Sequence, residues 1–274
     1  MPELPEVEVT RRGIAPMLTG SRVSGVIART PALRYPLPRN LERTLGGERL
    51  ASVSRRGKYL LLGFAHGNLL VHLGMSGSLR LVPPSLPAEK HDHFDLVFAI
   101  KRGSIALRLR DPRRFGAILW LPGDPLAHPL LAELGVEPLT EQFSAAWLKQ
   151  ELAGLSAAIK PVLMDSHRVV GIGNIYASES LFRAGIDPRT AAGRISLKRL
   201  ERLVQAIKTT LAAAIDAGGS SLRDFIHSDG SSGCFQQQYF AYGRGGEPCR
   251  VCGRRIRELR QGQRATFFCA SCQR

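Results

Sequence analysis

Cys249-x2-Cys252 and Cys269-x2-Cys272 set two thiolate pairs 16 residues apart, the spacing at which two knuckles converge on one tetrahedral ion. Four thiolates without a histidine leave no open coordination position. The expected zinc is therefore structural, holding a module of roughly 30 residues too small to bury its own core. Two disulfides are the competing arrangement, which a cytoplasmic location disfavours. Cys234 is left over, and with no Cys-His-acid pattern around it, it reads as an ordinary thiol. The opposite end of the chain offers different chemistry. In Met1-Pro2-Glu3-Leu4-Pro5-Glu6, loss of Met1 exposes Pro2 as a secondary amine on a rigid ring. An α-amino group with a pKa of about 7.7 to 8.0 is roughly one tenth neutral at pH 7, against roughly one part in 2500 for a lysine. Only the neutral amine is nucleophilic. A helix starting here lowers that pKa further through its dipole, and Glu3 and Glu6 are near enough to give or take a proton. Taken alone, a frayed terminus with incidental carboxylates explains the same residues.

These groups need a scaffold, and the hydrophobic pattern supplies two kinds. After a short helical segment in which Val7, Ile14 and Leu18 share a face, the signals up to about residue 121 are mostly β. Strands are expected over 58–64, 69–75, 94–100, 104–110 and 116–121. Phe94, Leu96, Phe98 and Ile100 alternate before Lys101-Arg102-Gly103, and Ile105, Leu107 and Leu109 after it, which reads as a hairpin in a β-sandwich. Pro and Gly punctuate 122–138, the expected linker. From about 143 the period becomes helical. Leu197, Leu200, Val204, Ile207, Leu211 and Ile215 recur every three or four residues between Ser196 and Gly218-Gly219, and a second helix is expected over 174–184. The expected domains are 1–135, 136–235 and 236–274. The stretch Asp229 to Gly233 (DGSSG) reads as a flexible loop.

A surplus of 38 Lys+Arg over 23 Asp+Glu gives a formal charge of +15. A field of that sign draws in polyanions, nucleic acid ahead of an acidic membrane surface, although solubility alone also explains it. Residues 240–274 sharpen the case, carrying eight Arg against Glu247 and Glu258. Arginine forks suit phosphate. No run of about 18 apolar residues and no basic-then-apolar leader occurs, so no membrane partner and a cytoplasmic place beside the nucleoid are expected.

The run PELPEVE, RRGKYLLL around Lys58, HLGMSGSLR at 72–80, KHDHFDL at 90–96, DPRRFGA at 111–117, GIGNIYASE at 171–179 and the tail from GEPCRVCG to RATFFCASC together resemble bacterial formamidopyrimidine-DNA glycosylase. The resemblance implies an α+β multidomain fold: an N-terminal β-sandwich, a helical helix-two-turn-helix domain and a C-terminal zinc finger, with duplex DNA bound in the cleft between. It also implies action on oxidised purines or abasic sites in double-stranded DNA, with one structural Zn2+ and no catalytic metal; a monomer is expected, with a dimer left open. Pro2 is then the nucleophile at C1′, Glu3 the general acid, Glu6 its support, and Lys58 a neighbour that contacts phosphate and assists proton transfers. Met75, Arg113 and Phe115 match the side chains that fill the void left by a flipped base. His72, Asn174 and Arg264 match phosphate contacts, and His91 a DNA contact. Without the family, Lys58 reads as a solvent-facing strand lysine, Met75 and Phe115 as core, and His91 and His93 as hydrogen-bonded strand residues. The stretch at 228–244 departs from the family pattern, because Cys234 stands where an aromatic residue is expected. An endonuclease VIII-like enzyme for oxidised pyrimidines and a non-catalytic zinc protein are the competing functions; PELPEVE and the Met75, Arg113, Phe115 set favour the purine enzyme.

Overall fold

Glu3 caps the first helix and Pro5 occupies its first turn, where a missing N–H costs nothing, so α1 (Leu4–Leu18) starts at the extreme N-terminus. Its Leu4, Val7, Ile14 and Leu18 are buried at helical spacing, as the pattern requires. The computed structural model describes residues 2–220 and 233–274, in two compact units. The loop expected at 229–233 lies outside the described residues except for Gly233.

The first unit comprises Met1–Ala132 and Ala217–Cys234. After α1 it runs through β1 (Arg22–Ala28), α2 (Leu41–Leu45), β2 (Ser52–Arg56), β3 (Tyr59–Phe64), β4 (Gly67–His72), β5 (Ser78–Val82), β6 (Asp92–Ile100), β7 (Gly103–Arg110), β8 (Ala117–Pro122) and α3 (Pro129–Ala132). Two antiparallel sheets, ordered β1-β6-β7-β5 and β2-β3-β4-β8, face one another. Phe94, Leu96, Phe98, Leu107 and Leu109 of one sheet and Leu60, Leu62, Leu69, Val71 and Ile118 of the other share a core with α1. This is the expected sandwich. Between those apolar positions Asp95 and Arg108 stand directly opposite each other on β6 and β7, both buried. Arg108 donates to both Asp95 oxygens at 2.9 and 2.8 Å, the fork that makes a buried charge pair tolerable.

Two strand ends differ from expectation. The strand expected over 69–75 stops at His72, because Gly74 turns at φ 63° and carries Met75 on a loop instead. Lys58 precedes its strand, in the tight β2–β3 turn that Gly57 opens at φ 56°.

The second unit comprises Glu133–Asp216 and Phe235–Arg274. It contains α4 (Ala145–Glu151), α5 (Ile159–Leu163), α6 (Asn174–Ala184), α7 (Leu197–Asp216) and the hairpin β9 (Arg257–Gln261) with β10 (Arg264–Phe268). Ser144 caps α4 by accepting from Trp147 N, and Gly185, left-handed at φ 68°, ends α6. The buried face of α7 is Leu200, Leu203, Val204, Ile207, Leu211 and Ile215. Leu197, expected in that stripe, is exposed at the helix start, and Leu203 is buried in the stripe. Among the described residues no helix is long and apolar enough to cross a membrane.

Candidate functional site

Pro2 is buried immediately before the cap of α1, where the partial positive charge of the helix end disfavours a protonated amine. Glu3 and Glu6 form a reciprocal capping box. The Glu3 carboxylate accepts from the backbone of Glu6, and Glu6 Oε2 accepts from Glu3 N at 2.8 Å. The other Glu6 oxygen accepts from Ser220 N at 2.9 Å, so one fully buried carboxylate ties the N-terminus to the segment after α7. A Cβ at Gly219, where φ is +76°, would crowd Glu6 Oε1 at 3.2 Å, which keeps that approach open to glycine.

Lys58 is held by its turn. Arg55 donates to Gly57 O at 2.8 Å, and Arg55 is itself held by Glu8 of α1 at 3.3 Å. Burial alone would raise the Glu8 pKa, but hydrogen bonds from Arg11 and Arg12 and the charges of Arg11 and Arg55 outweigh it and bring it to about 2. Tyr59, next to Lys58, pairs with His72 across β3 and β4. Burial, then the charges of Lys58 and Arg34, lower the His72 pKa to about 4. Gly74 N donates to His72 Nδ1 at 3.1 Å, which leaves a neutral ring that carries its proton on Nε2.

Met75 and the pair Arg113 and Phe115 project from neighbouring loops. A Cβ at Gly74 would lie 2.4 Å from Phe115 C and Gly116 N, so the two backbones touch. Phe115 is 46% exposed and Arg113 lies over its ring at 5.0 Å, an arrangement for a surface that meets something. His91 is half-buried just ahead of β6, and His93 Nε2 bonds Asp111 O at 3.0 Å, as befits a structural histidine.

In the second unit Asn174 is the first residue of α6, entered through Gly171 and Gly173. Its side-chain Oδ1 is buried without a hydrogen-bond partner among the described residues, an orphan that a ligand or ordered water would satisfy. Arg264 is exposed at the start of β10. The four cysteine sulfurs lie within 4.8 Å of one another, with Cys249 to Cys272 at 3.9 Å and Cys252 to Cys269 at 3.4 Å. A tetrahedral ion with about 2.3 Å bonds to sulfur needs sulfurs about 3.8 Å apart, whereas a disulfide needs about 2.05 Å. The site fits one structural zinc, and all five cysteines are free of disulfides.

Three family models match in chain order: the formamidopyrimidine-DNA glycosylase N-terminal domain over residues 1–118, its H2TH domain over 134–226, and a zinc finger found in FPG and IleRS over 246–274. The chain belongs to the formamidopyrimidine-DNA glycosylase family. Family members of that name from Aromatoleum aromaticum and Pseudomonas aeruginosa are 60% and 57% identical, each covering 100% of both chains. Among solved structures, MutM (Fpg) from Thermus thermophilus is similar with a TM-score of 0.86 and 38% identity, covering 99% of this chain and 98% of that one. A Lactococcus lactis Fpg mutant in complex with Fapy-dG containing DNA has a TM-score of 0.90 at 34% identity, covering 99% of each chain.

Sequence reasoning missed several residues that position this formamidopyrimidine-DNA glycosylase family site. Glu179 of α6 is fully buried and accepts from the backbone N–H of Phe240, Ala241 and Tyr242 at 2.8 to 2.9 Å. Lys160 donates to Ala265 O and Thr266 Oγ1 at 2.9 and 2.7 Å. Both bind the zinc module to the helices of the same unit. Asp111 and Ser76 link the Met75 loop to the Arg113 and Phe115 loop, and only the place of Asp111 at the head of DPRRFGA could have drawn notice.

Proposed function

We propose that this chain is a bifunctional DNA glycosylase and abasic-site lyase of base excision repair. It excises oxidised purines, 8-oxoguanine and formamidopyrimidines, from duplex DNA and cuts the strand by β,δ-elimination. The observation that carries the reading is the setting of Pro2, buried at the positive end of α1 beside a capping box made of Glu3 and Glu6. A Pro2 amine freed of Met1 attacks C1′ of the damaged nucleotide, and the base departs. Glu3 acts as general acid near the sugar ring oxygen, while Glu6, with both oxygens taken up by backbone donors, holds the terminus in place. The resulting iminium acidifies the neighbouring sugar hydrogen, so the 3′ and then the 5′ phosphate are eliminated. Lys58 and neutral His72 contact phosphate, as do Asn174 and Arg264, and His91 contacts DNA nearby. Met75, Arg113 and Phe115 fill the space of the extruded base. Zinc folds its module and takes no part in the chemistry. The relatives' names and the damaged DNA held by the Lactococcus lactis protein support this substrate class. The chain acts as a monomer in the cytoplasm, on nucleoid DNA, through three domains at 1–135, 136–235 and 236–274.

Borohydride trapping on DNA containing 8-oxoguanine tests the nucleophile. Retaining Met1, or Pro2→Gly, sharply reduces the trapped adduct. Full-strength trapping through Lys58 in those variants refutes the assignment.

A further inference from the structure

We propose that Asp111 is a positioning residue that sets the spacing between Met75 and the Arg113 and Phe115 pair. The proposal rests on the reading of those three side chains as the group that replaces a flipped base. Asp111 is fully buried. Ser76 Oγ donates to its Oδ1 at 3.0 Å, and Gly116 N donates to its Oδ2 at 2.7 Å. Ser76 neighbours Met75, and Gly116 neighbours Phe115. Ser76 Oγ also accepts from Arg113 N at 3.3 Å, so one hydroxyl joins both loops. The main chain of Asp111 is fastened as well: its N donates to His91 O at 3.0 Å, and its O accepts from His93 Nε2 at 3.0 Å and Arg114 N at 3.3 Å.

This node has the marks of a device for placing side chains. Arg114 is the one non-glycine residue at positive φ among the described residues, at 56°. Such a conformation is uncommon outside glycine and persists where surroundings over-determine it. Here it lies between Arg113 and Phe115, whose side chains stack on one another at the surface. Gly74 and Gly116 permit the backbones to meet; a Cβ at Gly116 would lie 2.8 Å from His72 O and 2.9 Å from Asp111 Oδ2. Charge-assisted bonds are the stronger kind, so a buried carboxylate holds the two loops more rigidly than a neutral pair would. A wedge displaced by about 1 Å loses much of its effect on rate.

The test compares two reactions of the full-length, zinc-loaded protein. One is single-turnover excision of 8-oxoguanine opposite cytosine, which requires base extrusion. The other is borohydride trapping on a preformed abasic site, which has no base to extrude. Asp111→Ala is expected to slow excision by about tenfold or more and Ser76→Ala by about threefold, with trapping changed by less than about threefold in both. Asp111→Asn, which keeps one acceptor, recovers part of the loss. Placed on Phe115→Ala, Asp111→Ala adds little, because its effect runs through that wedge. Equal losses in both reactions, or losses that multiply fully in the double variant, overturn the proposal. If Asp111→Ala does not fold, Ser76→Ala and its double variant with Phe115→Ala decide the matter alone. Phe115→Ala without effect on excision brings down the wedge reading itself. A slow Phe115→Ala beside an unaffected Asp111→Ala and Ser76→Ala brings down only the placement.

Discussion

Replacing His72 with glutamine tests whether a neutral imidazole stands beside Lys58. The free ring titrates near 6.5, whereas in the folded chain burial, then the charges of Lys58 and Arg34, bring it to about 4. At about 1.4 kcal/mol per pH unit, protonating it in the folded chain costs up to about 3 kcal/mol more than in the unfolded chain. The unfolded chain therefore binds more protons between those two values. Stability falls as pH drops through about 6.5 and this contribution levels off below about 4. Glutamine can still accept from Gly74 N, but it does not titrate. Urea unfolding of the two chains at several pH values, from about 7 down to about 4, should show the stability difference moving toward the variant by up to about 3 kcal/mol. Acid release of zinc affects both chains alike and cancels in the difference. On DNA, His72→Gln weakens binding but leaves the salt slope unchanged, since a neutral donor displaces no counterion. Parallel pH-stability curves, or an imidazole NMR titration near 6.5, would refute the reasoning.

The remaining expectations follow from the same geometry. Glu8→Gln destabilises the protein by about 1 to 3 kcal/mol near neutrality, discounted for the partly exposed Arg11 and Arg12. Because the Glu8 pKa is depressed from 4.5 to about 2, that contribution is complete above about pH 4.5 and disappears toward pH 2, which denaturation against pH reads directly. Arg264→Ala lowers the salt slope of DNA binding by about one phosphate contact with zinc retained, whereas Cys269→Ser releases zinc and weakens binding; an unchanged slope removes Arg264 from the interface. Arg113→Ala flattens a preference for cytosine over adenine opposite the lesion by roughly ten- to hundredfold, and Phe115→Ala slows both equally; single-turnover excision opposite each base separates them.

What could be read from the sequence was what repeats locally. The two thiolate pairs announce their ion because ligands with two residues between them share one knuckle. Alternation in Phe94, Leu96 and Phe98 and the stripe from Leu200 to Ile215 mark β6 and α7, since one buried face imposes a period. Elements that lack a clean period were missed. In β1 the register shifts between Val23 and Gly25, β2 is mostly polar, and α4 and α5 are too short to establish a helical face.

The residues that fasten the candidate site belong to another class. Each is a polar side chain whose partner is remote in sequence: Glu6 with Ser220, Ser76 with Asp111, Lys160 with Thr266, Glu179 with Phe240 to Tyr242. No periodicity records such a bond, because one side chain suffices and its partner is often a backbone N–H, which every residue but proline carries. Burial makes these single bonds decisive. An interior carboxylate left without its donors costs several kcal/mol, so once Glu6 or Asp111 is enclosed the backbone amides around it have little freedom to drift. In the proposed mechanism that rigidity serves both the amine nucleophile at the chain end and the aromatic wedge at a loop tip. Pro2 and Phe115 are marked in the sequence by the PELPEVE and DPRRFGA motifs. Glu6 is legible in PELPEVE, but its bond to Ser220, like the bonds of Asp111, becomes visible only when the fold closes around it.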